Sequence, residues 1–238
     1  MKIFISLISL LAILEVTAAT KYTYRSRGQG GHANMWGGHC GEWPVESTLD
    51  VYTSQDTFKV NKKGQPQTPS FPFFSSTFNL WSDCTAKTAT WIQPNWDSFD
   101  VPVAVLNFPR NNKLQKGSAS ATISARELPC VAFYDNFEDG GEYLNYECDS
   151  SASQLVTVYL SVDWIGTGTT YNSKCTNSNS GGGSSKITTT GNSRDAKFNF
   201  SLRIDGVPFD LSTNFGETNF TAGELHKSTF TEISRYKK

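Results

Sequence analysis

The chain has almost no net charge. Its 21 Lys and Arg stand against 22 Asp and Glu, a formal balance of −1. A near-neutral chain lacks the basic footprint of a nucleic-acid binder. It also lacks the acidic excess of a cation sponge. No segment keeps a 3.6-residue apolar period over three turns, so long amphipathic helices are not expected. No pair of cysteines has the C-x2-C spacing of a structural zinc site. No G-x-S-x-G elbow marks a hydrolase nucleophile. Beyond the N-terminal leader, no apolar run approaches the roughly 20 residues a membrane helix needs.

What is present begins with the leader. Lys2 supplies a positive start, Ile3 to Leu14 is a run of apolar residues and Ser, and Glu15 closes it. Val16-Thr17-Ala18-Ala19 then offers small residues at the positions a signal peptidase reads. The expectation is a secretory signal peptide over 1–19 and a secreted β-domain over 20–238. The chain ends Arg235-Tyr236-Lys237-Lys238, with no hydrophobic tail for a glycolipid anchor. Secretion takes cytosolic cofactors and nucleic acid off the list of expected partners; no cofactor and no membrane span are expected.

Secretion also sets the redox context. The five cysteines are Cys40, Cys84, Cys130, Cys148 and Cys175. In an oxidising compartment most should pair, and the odd one is free or joined to another chain. Spacing leaves the connectivity open. The working expectation is Cys40–Cys84 and Cys130–Cys148, with Cys175 left over in a flexible loop.

Strand signals dominate the rest. Val156, Val158, Leu160, Val162 and Trp164 fall on one face of an alternating run, against Thr157, Tyr159, Ser161 and Asp163. Ala196, Phe198, Phe200, Leu202 and Ile204 do the same against Lys197, Asn199, Ser201, Arg203 and Asp205. Strict alternation marks half-buried strands. Asp205-Gly206 is a preferred hairpin dipeptide, and Val207, Phe209 and Leu211 resume the alternation, so 196–212 reads as a hairpin. Pro208 costs its strand one donor and places it at an edge. Weaker strands are read at 22–27, 33–36, 48–53, 75–81, 87–92, 101–108, 119–124 and 228–233. Long loops are expected at 61–73 and 171–185. The predicted fold is an all-β antiparallel β-sandwich in one domain, with a partly closed β-barrel as the alternative.

Several short motifs stand in a recognisable order. Tyr24-Arg25-Ser26-Arg27-Gly28, Ala33-Asn34-Met35-Trp36 and Asp50-Val51-Tyr52 come first. Ser118-Ala119-Ser120-Ala121-Thr122 follows, then Asp163-Trp164-Ile165-Gly166-Thr167-Gly168, then Gly191-Asn192-Ser193-Arg194-Asp195-Ala196. In this order the chain resembles a group of uncharacterised secreted, mostly bacterial, β-rich proteins. In these a Y-x-S-x-G…A-x-x-W start precedes a W-x-G-x-G strand end and an S-R-x-A strand start. The likeness covers roughly residues 22–233. It implies secretion and an intact β fold, and carries no activity or catalytic residue. The 61–73 insertion and the number of cysteines depart from it.

Candidate site residues fall into small sets. Asn199-Phe200-Ser201 and Asn219-Phe220-Thr221 are sequons, so Asn199 and Asn219 are glycosylation acceptors if the source is eukaryotic. Asp135, Glu138, Asp139 and Glu142 form a weak calcium candidate, since hard cations want several oxygens near a turn. Phe137 occupies a ligand position and Tyr146 the place of the bidentate Glu, so an EF-hand is excluded. His32, His39 and Cys40, with His226 far downstream, are a weaker copper or zinc candidate. Trp36, Trp43, Trp91 and Trp96 lie near expected strand ends or loops, where flat rings could stack on sugars. Trp164 and Trp81 are assigned to inward rows. The expected function is a secreted, non-enzymatic structural or interaction protein that contacts an extracellular protein or glycan surface. An extracellular or mineralised matrix is a home that suits it. A carbohydrate-binding module is the alternative, and a hydrolase of unknown class the second alternative.

Overall fold

The computed structural model describes residues 22–40, 42–60, 68–95, 103–109, 113–136, 142–179, 183–216 and 218–236. Residues 1–19, expected as a leader, residues 61–67 of the expected 61–73 loop, Trp96, Glu138 and Asp139 lie outside them. The described chain is antiparallel β-structure throughout: β1 (Tyr22–Cys40), β2 (Trp43–Val60), β3 (Thr68–Ser82), β4 (Thr88–Pro94), β5 (Val103–Asn107), β6 (Lys116–Asn136), β7 (Glu142–Cys148), β8 (Gln154–Asn179), β9 (Gly183–Ile204), β10 (Val207–Pro208) and β11 (Thr218–Tyr236). A 3-10 turn (Ser150–Ala152) precedes β8 and one α-helical turn, α1 (Ser212–Phe215), precedes β11.

The pairing runs β9–β11–β1–β2–β3–β4–β6, and β8 pairs with both β6 and β9, so the circuit returns on itself. Two walls result. The wall of β11, β1, β2 and β3 supplies Leu225, Ala33, Leu49, Val51, Phe78 and Leu80 to one core. The wall of β6, β8 and β9 supplies Ala119, Ala121, Val158, Leu160, Val162, Trp164 and Leu202 to the same core. This is the sandwich-like packing that alternation predicts.

The walls meet closely at Gly31. A Cβ there would lie 2.8 Å from Trp164 Cε2, so only glycine lets the indole pack against β1. Trp164 Nε1 donates to the His32 carbonyl at 2.8 Å, which satisfies the one polar atom of a side chain 1 % exposed.

A second, smaller core lies at one end. Ala89, Cys130, Leu144 and Tyr146 are buried there, with Trp43, Val45, Trp81, Cys84 and Trp91 packed around them. In β6 the buried residues change from odd (Ala121, Ile123, Ala125) to even (Leu128, Cys130), so the strand serves one core and then the other. Both expected disulfides form at this end. Cys40 joins Cys84, and Cys130 joins Cys148 directly across the β6–β7 ladder with Cα atoms 4.0 Å apart.

Three expectations need correction. The 171–185 loop is largely strand: Thr170–Asn179 of β8 pairs residue for residue with Ser185–Arg194 of β9. Cys175 is free and exposed, as expected, but it sits in β8. Low apolar content did not prevent a ladder, because backbone hydrogen bonds and the adjoining β11 hold β9 in place. Likewise Thr68–Phe73 of the expected 61–73 loop belongs to β3. The return strand of the 196–212 hairpin stops at Pro208, at the sheet edge as expected. Its turn is where the dipeptide placed it, with Asp205 and Gly206 both at positive φ. Asp210 then accepts from the Ser212 N–H at 2.9 Å and starts α1.

α1 is fastened to β2 and β3 of one wall through one buried amide. Asn214 Oδ1 accepts from Ser47 Oγ at 3.1 Å and from the Trp81 N–H at 2.7 Å, and its Nδ2 donates to the Trp81 carbonyl.

Candidate functional site: an acidic, aromatic sheet face

Strand parity sorts the side chains of β8 (from Thr170), β9 (to Asp195), β11, β1, β2 and β3. Registers in this region are continuous from Tyr22 to Trp36 of β1 and throughout its partner segment of β11, so cross-strand neighbours share a face. One face turns toward the core beyond Gly31. The other is the outer face. Across it run rows such as Tyr171–Ser193–His226–Gly30–Ser54–Phe73 and Asp195–Glu224–His32–Tyr52–Ser75. The next rows bring Asn34 beside Asp50, and Phe220 beside Trp36.

Contacts confirm these neighbours. His32 Nε2 lies 3.3 Å from Asp50 Oδ1, and Asn34 Nδ2 donates to Asp50 Oδ2 at 3.0 Å. Trp36 Nε1 donates to Glu46 Oε1 at 3.2 Å. The His226 ring stacks on Tyr52, with centroids 5.3 Å apart and planes at 12°. Phe73 meets the other side of Tyr52 edge-on at 6.1 Å. Gly30 makes the stack fit: a Cβ there would lie 2.9 Å from His226 Nε2 and closer still to the Thr53 carbonyl. The ring covers the glycine's backbone and shields it from water.

The face is electronegative. Glu46, Asp50, Asp56, Asp195, Glu224 and Glu232 all lie on it, and the described side chains of these strands place no Lys or Arg beside them. The phenols respond. Burial, then the charges of Asp56 and Glu224, push the Tyr52 hydroxyl above its ordinary range, and burial, Asp56 and Glu232 do the same to Tyr24. Burial raises the Asp56 carboxyl against the lowering hydrogen bond from Ser54. Burial, then His32, pushes the His226 imidazole down. His226 Nε2 is buried and has no hydrogen-bond partner among the described residues.

Between Tyr171 and His226 the floor drops to Gly191 and Ser193. An open groove of about 280 Å³ forms there, lined also by Glu224, Lys227 and Ser228 of β11. Aromatic rings, carboxylates, an amide and two imidazoles thus line a broad, shallow surface. Such a surface can stack apolar ring faces and hydrogen-bond hydroxyls.

The residues singled out in the sequence are dispersed. Trp36 belongs to this face. Trp91 stacks on Trp81 at 5.9 Å and 17°, with its Nε1 hydrogen-bonded to Asn79 Oδ1, and both rings pack on the second core with Trp43. Trp81 therefore leaves the inward row assigned to it; Leu80 points into the main core instead. Trp164 keeps its inward place. Cys40 is oxidised, so it offers no thiolate to His32 or His39. The structure brings His226 to His32 instead. Asp135 is exposed near the end of β6 and Glu142 begins β7 opposite Asn136. Among the described residues no three His, Cys, Asp or Glu side chains gather as metal ligands. Asn199 is exposed opposite Asp163, while Phe200 beside it is buried. Asn219 lies at the start of β11. Tyr52, Phe73 and Phe220 were missed, and His226 was named only as a metal candidate. Each sits on the polar parity of its strand, and only the register across β11, β1, β2 and β3 joins them. No family model matches the chain, and no curated protein is significantly similar to it.

Proposed function

We propose that this is a non-catalytic, extracellular interaction protein whose outer sheet face binds a carbohydrate chain. One observation carries the reading: Trp36, Tyr52, Phe73 and Phe220 are 38, 44, 49 and 56 % exposed and stand on the same face, interleaved with carboxylates and amides. Solvent-facing rings grouped this way cost solubility and mark a binding surface. The C–H faces of a sugar stack on such rings. Its hydroxyls find acceptors at Glu46, Asp50 and Glu224 and a donor at Asn34. The polar, hydrogen-bonding setting suits a sugar better than an apolar protein segment. The two disulfides agree with an oxidising environment.

A glycan array followed by calorimetry on the full mature chain tests this. Trp36→Ala and Tyr52→Ala should each weaken binding of the best glycan about tenfold, roughly 1.4 kcal/mol. Tyr159→Ala, an equally exposed ring on the other wall, should leave it unchanged. Equal loss in all three variants, or no hit on a broad array, refutes the proposal. The second reading, a cross-linked structural protein, is favoured by the exposed thiol of Cys175. It requires a reducible dimer or heteromer on gels of the native material, abolished by Cys175→Ser.

A further inference from the structure

The opposite face of the same sheet carries the opposite charge. On β8, β9, β11 and β1, Lys174, Lys186, Arg194, Lys227, Arg25 and Arg27 all fall on the parity that the carboxylates avoid. Near Leu225 and Ala33 this parity faces the main core. Farther out, past Gln29 and Lys227, the sheet extends beyond the core and the face is open. Arg25, Arg27, Lys174 and Lys186 are exposed. Arg194 is half-buried at the inner margin, with its Nε donating to the Thr167 carbonyl at 3.2 Å.

The rows between these cations are hydroxyl-rich. Lys174, Thr190, Thr229, Arg27 and Thr57 lie side by side across successive strands. The next row runs Thr176, Thr188, Thr231 and Arg25. Strands stand about 4.8 Å apart, so Lys174 and Arg27 are about 14 Å apart, and Arg25 and Arg27 are about 7 Å apart along β1. The result is an array of cations set among hydroxyls. No Asp or Glu interrupts it among the described residues.

We infer that this face binds a sulfated polysaccharide, independently of the glycan proposed for the outer face. Charge complementarity fixes the sign of the ligand. The chemistry of the face selects its class. Sulfate esters take hydrogen bonds from guanidinium, ammonium and hydroxyl donors together. Single-stranded nucleic acid wants aromatic platforms, and the described side chains of this face include none. Duplex DNA is read by a projecting helix or ribbon in its major groove, and this face of paired strands projects neither. The near-zero net charge conceals this surface, because strand parity places the balancing carboxylates on the other side.

The test is retention of the full mature chain on immobilised dextran sulfate against unsulfated dextran, over a salt gradient. The expected result is selective retention on dextran sulfate that falls steeply with salt. The triple variant Arg25→Ala/Arg27→Ala/Lys174→Ala should bind about tenfold more weakly at low salt, each exposed pair counting for a fraction of a factor of ten. Glu232→Gln, on the opposite face, should bind as wild type or slightly tighter. Both variants change exposed or half-exposed positions and should melt like wild type. Equal retention on the two resins overturns the inference. So does a well-folded triple variant that binds as wild type, or a DNA duplex that outcompetes dextran sulfate.

Discussion

Gly31→Ala should destabilise the protein through one contact, and that contact can be isolated. The added methyl would stand 2.8 Å from Trp164 Cε2 and 3.1 Å from Cζ2, in the middle of the core. Neither partner can move cheaply. β1 is held by ladders to β11 and β2, and the indole is anchored to the His32 carbonyl and packed against Phe108. Overpacking of this kind costs about 1–3 kcal/mol. The lower entropy of the unfolded Ala chain returns about 0.4–1 kcal/mol. The net should be about 1–2 kcal/mol, a fall in Tm of about 2–8 °C for a domain of this size. Trp164→Phe alone leaves the His32 carbonyl without its donor and opens a void, for about 2–4 kcal/mol. In the double variant the smaller ring makes room for the methyl. The two losses should therefore fall short of additivity by about 1 kcal/mol or more. Urea melts of the four proteins give the cycle. Additivity within about 0.3 kcal/mol would refute the reasoning, because Gly31 would then be small for some reason other than Trp164.

Other consequences can be checked the same way. Removing Cys40–Cys84 as a pair of serines should cost about 4 kcal/mol and removing Cys130–Cys148 about 3 kcal/mol, because the bridges span 44 and 18 residues; calorimetry that reverses the order contradicts a chain-entropy origin. Asn214→Ala should cost about 2–4 kcal/mol, since it strands Ser47 Oγ and both backbone groups of Trp81 in a buried site. A loss below about 1 kcal/mol in a urea melt would show that α1 does not anchor β2 and β3. For His226, burial lowers the folded-state pKa below the ordinary 6.5, so the unfolded chain binds the proton more readily. Its contribution is complete above about pH 6.5 and is lost as the pH falls toward the depressed folded value. His226→Gln should flatten the fall in urea midpoint between pH 8 and pH 5, and an unchanged slope would contradict the burial argument.

Much of the fold was legible because alternation is written into single strands. The inward row from Val156 to Trp164, the row from Ala196 to Leu202 and the Asp205-Gly206 turn needed no partner to be read. The ladder of Thr170–Asn179 was illegible for the opposite reason. Its side chains bury nothing, and what holds it is the backbone of β9, fixed in turn by β11. Trp81 shows a related limit: alternation gives two faces but cannot say that both are buried at the disulfide end. The binding face was legible only in part. Trp36 was picked out by residue type, whereas Tyr52, Phe73, Phe220 and His226 acquire meaning from registers between segments far apart in sequence. The charge sorting lies in plain view within each strand, yet net charge averages it away.

Both disulfides and the second core sit at one end of the molecule, and this has a dynamic consequence. The far extension of β1, β8, β9 and β11 contributes no buried apolar side chain among its described residues and no covalent tie. Its amides should exchange with solvent through local openings well below the global unfolding free energy, while those beside Trp164 and Cys130 wait for rarer events. The outer reaches of the acidic face and the whole open part of the basic face ride on this loosely protected region. A polymer bound there would suppress those openings by mass action, and would extend the slow-exchanging region outward from the core along the strands.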